Sequence, residues 1–203
     1  MIVDAHTHAW ARWPYPPAGP EAASRGRYQN LLGELDAAGV GAAVLVSANL
    51  DGPAGEGNCG NNEYVAEAVA ACPGRLYQFA DVDSRWSGTY HRPGAAARLA
   101  DACDRHAPAG VSHYLGPDND GWLRSADGRD FLAAADRRKI AVSLAAPPAW
   151  FDDIRRAAAS VPATPIMLNH LALVMLRPGR GPAVLDMIRR GAGQPNLIVK
   201  VSG

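Results

Sequence analysis

Short apolar, β-branched runs recur about every thirty residues along this 203-residue chain, and Ala-rich stretches of helical periodicity lie between them. That alternation predicts a parallel sheet with helical crossovers, because parallel strands can be joined only through a long return connection. Strands are expected at Met1–His6, Gly41–Ser47, Leu76–Asp81, Gly110–Tyr114, Ile140–Leu144, Ile166–Asn169 and Leu197–Val201. Helices are expected at Tyr28–Ala38, Asn62–Ala71, Ala95–His106, Arg129–Arg138, Phe151–Ala159 and Ala183–Arg190, with Gly39, Pro73-Gly74 and Gly191 as stop signals. Runs such as Ala43-Val44-Leu45-Val46 are apolar on both flanks, as strands covered on both faces must be. The first strand leads into His6-Thr7-His8 and a Pro/Trp loop instead of a Gly-rich phosphate turn, so a closed (β/α)8 TIM-type barrel is expected over an open nucleotide-binding sheet. No repeat or linker divides the sequence, and residues 1–203 are read as a single domain.

Composition narrows the partners. Twenty Lys+Arg balance 20 Asp+Glu, which leaves no electrostatic case for nucleic acid, and 48% hydrophobic residues indicate a chain that buries a core. Apolar runs fall far short of the roughly 20 residues that span a bilayer, and the N-terminus has no secretory pattern, so a cytoplasmic protein without membrane partners is expected. Cys59, Cys72 and Cys103 form no C-x-x-C pair and read as reduced thiols. A small-molecule substrate is the expected partner, and a homo-oligomer is compatible with the sequence.

The histidines carry the sharpest chemistry. His6 and His8 stand two apart at the end of the first strand, so the pleat turns both imidazoles to one side, where they can share a metal ion. Two satisfied loop histidines are the plainer reading. His170 follows the sixth strand and suits either metal binding or proton transfer near neutral pH, with a capping or core role as its alternative. Cys103 and His106 on a helix read as packing residues. If Ser112 and Tyr114 face the substrate, His113 faces the helices; His91, in an Arg-Pro-Gly loop, is expected to be solvated. The loop Trp10-Ala11-Arg12-Trp13-Pro14-Tyr15-Pro16-Pro17 combines aromatic surface with one guanidinium and suits a pocket wall, as well as a plain surface loop. Asp51-Gly52, Asn58 to Asn62, and Arg85-Trp86 are expected to line the same opening. Lys200, one of only two lysines, sits between Val199 and Val201; with Ser202 it is expected to face inward, needing a carboxylate such as Asp4, or else to snorkel from a frayed terminus.

Asp4-Ala5-His6-Thr7-His8-Ala9-Trp10 resembles the D-x-H-x-H-x-W opening of the amidohydrolase superfamily, in its amidohydrolase-2 branch. Ala80-Asp81-Val82-Asp83, Gly110-Val111-Ser112-His113, Asn169-His170-Leu171-Ala172 and Val199-Lys200-Val201-Ser202-Gly203 are similar to that branch's third, fourth, sixth and seventh strand ends. The branch includes pyrone-dicarboxylate lactonase, fuconolactonase and aminocarboxymuconate-semialdehyde decarboxylase, all (β/α)8 barrels. The resemblance implies a hydrolase in which His6 and His8 are metal ligands and His170 binds the metal or activates reactants. Arg12, Arg85, Ser112, Tyr114 and Lys200 are the expected substrate contacts.

Three departures shape this expectation. The fifth strand, Ile140-Ala141-Val142-Ser143-Leu144-Ala145, lacks the histidine of metal-dependent members, so a divalent ion, zinc first, is expected to be weakly held or absent, and lactone opening is favoured over decarboxylation. Ser112 stands where the branch commonly has Arg. The family's strand-eight Asp lies beyond Gly203, so the sequence reads as a barrel truncated after strand seven, lacking strand eight and its helix. The expected activity is hydrolysis of a lactone or related ester or amide by a histidine-lined, metal-assisted water. A metal-dependent decarboxylase and a catalytically incomplete fragment are the alternatives.

Overall fold

A computed structural model describes residues 1–15, 21, 24–50, 57–173 and 181–201. Pro16, Pro17, Asp51, Gly52, Ser202 and Gly203, all singled out above, lie outside the described residues. Contacts group the chain into two compact units, Met1–Asp81 with Cys103–Ala109, and Val82–Ala102 with Gly110–Gly203.

The first unit is built on three parallel strands, β1 (Val3–Thr7), β2 (Ala42–Val46) and β3 (Leu76–Asp81), with helices α1 (Tyr28–Ala37) and α2 (Asn61–Ala71) as crossovers. Leu31, Leu32 and Leu35 recur at helical spacing on α1, and Val65 and Ala68 on α2; they close over Ala43, Leu45 and Leu76 as one apolar cluster. Gly39 lies just past α1 at φ +68°, the left-handed turn that returns the chain to β2. β1 carries a bulge, since the three steps from Asp4 to Thr7 pass against the two from Ala43 to Leu45 on β2. The pleat's parity therefore does not run continuously from Asp4 to His6, and the expectation that Asp4 shares the face of His6 and His8 does not carry across this step. Asp4 instead turns its Oδ1 onto the His6 N–H at 2.9 Å.

Buried amides tie the ends of these strands to α2. Asn62 donates from Nδ2 to the Asp81 carbonyl at 2.8 Å and accepts the Asp81 N–H at 2.7 Å, while Asn61 bridges the Ala48 N–H and the Ala9 carbonyl. Gln78 donates to the Asn62 carbonyl and to Ser47 Oγ. These side chains replace the ladder partners that strand ends lack.

In the second unit β4 (Gly110–Tyr114), β5 (Ala141–Ala145), β6 (Ile166–Leu168) and β7 (Leu197–Val199) pair in parallel. Val111, Val142, Leu144, Ile166 and Leu168 are fully buried on one face. The other face carries a cross-strand row of Ser112, Ser143, Met167 and Ile198. Helix α3 (Ala95–His106) precedes β4, α4 (Ala126–Arg138) precedes β5, α5 (Phe151–Ser160) precedes β6, and a last helix spans Gly181–Gly191. α4 begins one turn before its expected start because Ser125 caps it, accepting the Gly128 N–H at 3.1 Å. Gly128 is required there, since a Cβ would stand 2.2 Å from the Trp122 carbonyl oxygen. β6 and β7 are shorter than expected, because the chain leaves β6 through the left-handed turn described below.

His113 lies on the helix face of β4, as parity requires. It is fully buried, and its Nδ1–H donates to the Val82 carbonyl at 2.9 Å. His91 corrects the expectation of a solvated loop residue: its side chain is 8% exposed and stacks on Trp122 with ring centroids 4.4 Å apart. No helix among the described residues is long and apolar enough to cross a membrane.

Two outcomes follow from this packing. Asn62→Ala removes two buried hydrogen bonds to the Asp81 main chain and should cost about 2–4 kcal/mol in denaturant unfolding, whereas Asp36→Ala, which breaks the exposed Arg75–Asp36 pair, should cost under about 1 kcal/mol. Burial lowers the His113 pKa from 6.5 to about 4. Below pH 6.5 the unfolded chain takes up a proton that the folded one refuses, so stability is full above that pH and is lost as pH falls toward 4. The loss from this group between pH 7.5 and 5 should be about 2 kcal/mol, and His113→Gln should flatten that part of the pH profile.

Candidate active site

At the carboxyl end of β1 the two imidazoles of the H-x-H motif converge. His6 Nε2 and His8 Nε2 stand 3.3 Å apart with the ring planes at 79°. Thr7 pairs with Leu45 on the helix-covered side, so His6 and His8 flank it on the opposite face just past the bulge. His8 Nδ1 lies 2.7 Å from the Val46 carbonyl oxygen. A carbonyl can only accept, so Nδ1 carries the proton and Nε2 presents its lone pair. Two nitrogens that each sit about 2.1 Å from one ion at a tetrahedral angle are separated by roughly 3.4 Å, which matches the observed spacing. The pair therefore fits two ligands of a divalent ion. Among the described residues no group of three or more His, Cys, Asp or Glu side chains converges into a fuller set.

The loop after β1 builds an aromatic wall beside this pair. Trp10 stacks on His8 at 5.0 Å, and Trp13 and Tyr15 pack edge-on against Trp10. A cavity of about 780 Å³ opens alongside, bordered by His8, Trp13, Arg25, Arg27 and Asn30. The guanidinium that stacks on this wall is that of Arg25, 4.7 Å over the Trp13 ring. Arg12 is exposed, does not border this cavity, and is fixed through its main chain, which Asn58 clamps from both sides. Arg25 carries no motif in the sequence; only the return of the loop onto Trp13 brings it here.

In the second unit His170 begins a left-handed turn: His170, Leu171 and Ala172 have φ of 52°, 50° and 61°. Each such residue costs roughly 1–2 kcal/mol in an L-chain, so the surrounding structure must impose the conformation. Asn169 N–H donates to Leu144 and Leu171 N–H to Lys200, while Lys200 N–H donates to Leu168; the turn is thereby pinned between β5 and the end of β7. Ser143 Oγ donates to Asn169 Oδ1 at 2.9 Å, and Asn169 Nδ2 is buried with no partner among the described residues. The sequence placed Asn169 in the sixth strand-end motif but gave it no role. Ser112, one strand over, is likewise fully buried with an unpartnered Oγ among the described residues. Lys200 is 8% exposed, which removes the reading of a lysine snorkelling from a frayed end. Arg85 is exposed and its N–H donates to the Tyr114 carbonyl, and Trp86 packs on the Tyr114 ring at 4.7 Å, so Arg85, Trp86 and Tyr114 do gather in one place.

Comparison with known proteins supplies the family. The fold is shared with an Acinetobacter baumannii protein described as a "probable 2-pyrone-4,6-dicarboxylic acid hydrolase" with citric acid bound, which is 22% identical at a TM-score of 0.69 over all of this chain and 70% of that one. A Burkholderia multivorans amidohydrolase with bound zinc is 16% identical, with a TM-score of 0.70 over all of this chain and 70% of that one. An uncharacterised TIM-barrel protein of Bordetella bronchiseptica is 16% identical, with a TM-score of 0.65 over 99% of this chain and 75% of that one. These likenesses set the fold in the TIM-barrel class, of which the chain carries seven strands. No curated protein matches the sequence. The model of the Amidohydro_2 family, described as amidohydrolase, matches residues 3–203, and the chain is a hydrolase that belongs to this family.

Proposed function

We propose that the protein opens a lactone, or a related ester or amide, with a water molecule oriented at the His6–His8 pair. The observation that carries this reading is the 3.3 Å approach of two Nε2 atoms, one of them fixed as a lone-pair donor by the Val46 carbonyl. That arrangement suits either a polarised water or a divalent ion, zinc being the one named for a relative. A bound ion would acidify water and polarise the carbonyl under attack. His6 and His8 would hold it.

The other residues take roles that their positions support. His170, held in a strained turn at the end of β6, accepts or returns a proton as the ring opens. Lys200 and Ser112, both buried in the second unit, meet oxygens of the substrate. Tyr114 and Trp86 form an aromatic wall, with Arg85 beside them as the group that meets an acidic substituent. Arg12 remains a candidate for the same task from the β1 loop. A lactone with carboxylate substituents fits this set, and the description of the Acinetobacter relative points the same way. The protein is proposed to act in the cytoplasm on a small molecule.

Acid release from a panel of lactones, 2-pyrone-4,6-dicarboxylic acid among them, tests the reaction. With zinc supplied, turnover of at least one lactone is expected, and His170→Asn should lower kcat by about 10²–10⁴. A folded protein that opens none of them overturns the reading. The metal is tested separately by dialysis and calorimetric titration with Zn²⁺. Less than one equivalent should survive dialysis, and His6→Ala and His8→Ala should each weaken Zn²⁺ binding by about tenfold or more. An unchanged affinity in both variants would remove the shared site.

A further inference from the structure

A second histidine pair lies in the second unit, on the helix side of β4, and nothing in the proposed reaction uses it. His91 Nε2 stands 3.3 Å from His113 Nε2, and His91 Nδ1 stands 2.5 Å from Asp120 Oδ2. Unlike the crossed rings of His6 and His8, these two imidazoles are only 26° from coplanar, and both stack on the indole of Trp122. Tyr90 covers the other side of His91 at 3.7 Å. The rings thus meet edge to edge between aromatic faces, the geometry of an N–H···N hydrogen bond.

Counting protons along this chain gives a definite result. Val82 carbonyl to His113 Nδ1, His113 Nε2 to His91 Nε2, and His91 Nδ1 to Asp120 make three links, and each needs one proton. A neutral His113 supplies one, a neutral His91 supplies one, and an ionised Asp120 supplies none. Two protons cannot close three links. The set is complete only when one further proton is bound, and its natural seat is His91, between a carboxylate and two aromatic faces that favour a cation.

We propose that His113, His91 and Asp120 form a proton-gated latch that fastens the β3–α3 loop to β4. Acidification adds one proton from solvent and closes the His91–His113 link; its loss at higher pH leaves two lone pairs facing each other and frees the His91 turn. The loop so held runs from Asp83 to His91, both at positive φ, and carries Arg85 and Trp86. The start of the loop is held independently, by Arg98 Nε on Asp83 and by main-chain and Ser84 hydrogen bonds to Tyr114, and Tyr90 Oη accepts the Gly116 N–H, so the latch governs the His91 turn at the far end.

The charges around the latch set its operating range. Burial lowers the His91 pKa, against which Asp120, Asp83 and Asp127 act to raise it. Asp83 is paired with Arg98 of α3, and Asp127 of α4 feels the same guanidinium. Arg85 and Tyr90 face the site from the loop itself, where burial raises the Tyr90 pKa. The latch therefore closes on the acid side of the ordinary histidine range. His113 stays neutral until about pH 4, so the transition involves a single proton.

Imidazole ¹⁵N spectra of the full chain between pH 4.5 and 8.5 test this directly. At the acid end both His91 nitrogens should be protonated while His113 keeps only Nδ1–H, and the two residues should share one midpoint. Asp120 is 47% exposed, so Asp120→Asn should fold, and it should lower that midpoint by about one unit, a tenfold loss of proton affinity. Amide exchange over 84–91, corrected for its intrinsic pH dependence, should be about fivefold or more faster above the midpoint than below it. A His91 that stays neutral throughout, a midpoint unmoved in Asp120→Asn, or corrected exchange without a pH step overturns the latch.

Discussion

A parallel strand leaves its last main-chain groups without ladder partners, and in this protein side chains satisfy them. Asn62 closes both groups of Asp81, Asn61 bridges Ala48 and Ala9, His8 takes the Val46 carbonyl, His113 takes that of Val82, and Tyr90 and Trp150 bind the two sides of Gly116. The carboxyl ends of the strands are consequently rigid. A side chain placed there is aimed by the same bonds that complete the sheet, which is why the candidate catalytic groups and the structural ones are neighbours in sequence and often the same residues.

The two histidine pairs show how surroundings decide chemistry at equal separation. Each pair has its Nε2 atoms 3.3 Å apart, and in each a Val carbonyl fixes the tautomer of one ring. The His6–His8 pair stands beside the cavity that His8 borders, from which an ion or a water can reach it. Near-coplanar rings pressed between Trp122 and Tyr90 leave His91 and His113 only the line itself, and a proton is what fits on it.

Strain is stored at one end of the second unit. Three consecutive left-handed residues from His170 to Ala172 persist because hydrogen bonds from Asn169, Leu171 and Lys200 over-determine them. The same bonds draw Lys200 into the protein and seat the buried amide of Asn169 beside Ser143. A single helical turn in their place would swing the imidazole away from the strand end that presents it.

Sequence by itself determined the order of strands and helices, because a period of two or of 3.6 in apolar residues is a local signal, and it marked His6, His8 and His170 through spacing to strand ends. It also put His113 on the helix face by parity alone. Parity failed at Asp4, where a bulge that no local pattern announces shifts the register against β2. Arg25, the role of Asn169 and the burial of His91 were invisible for a related reason: each depends on where a loop returns, or on a distant partner, as His91 depends on His113 and Asp120, 22 and 29 residues away. Tertiary structure alone decided those positions, since hydrogen bonds and ring stacking between distant segments fix them and no periodicity encodes such contacts.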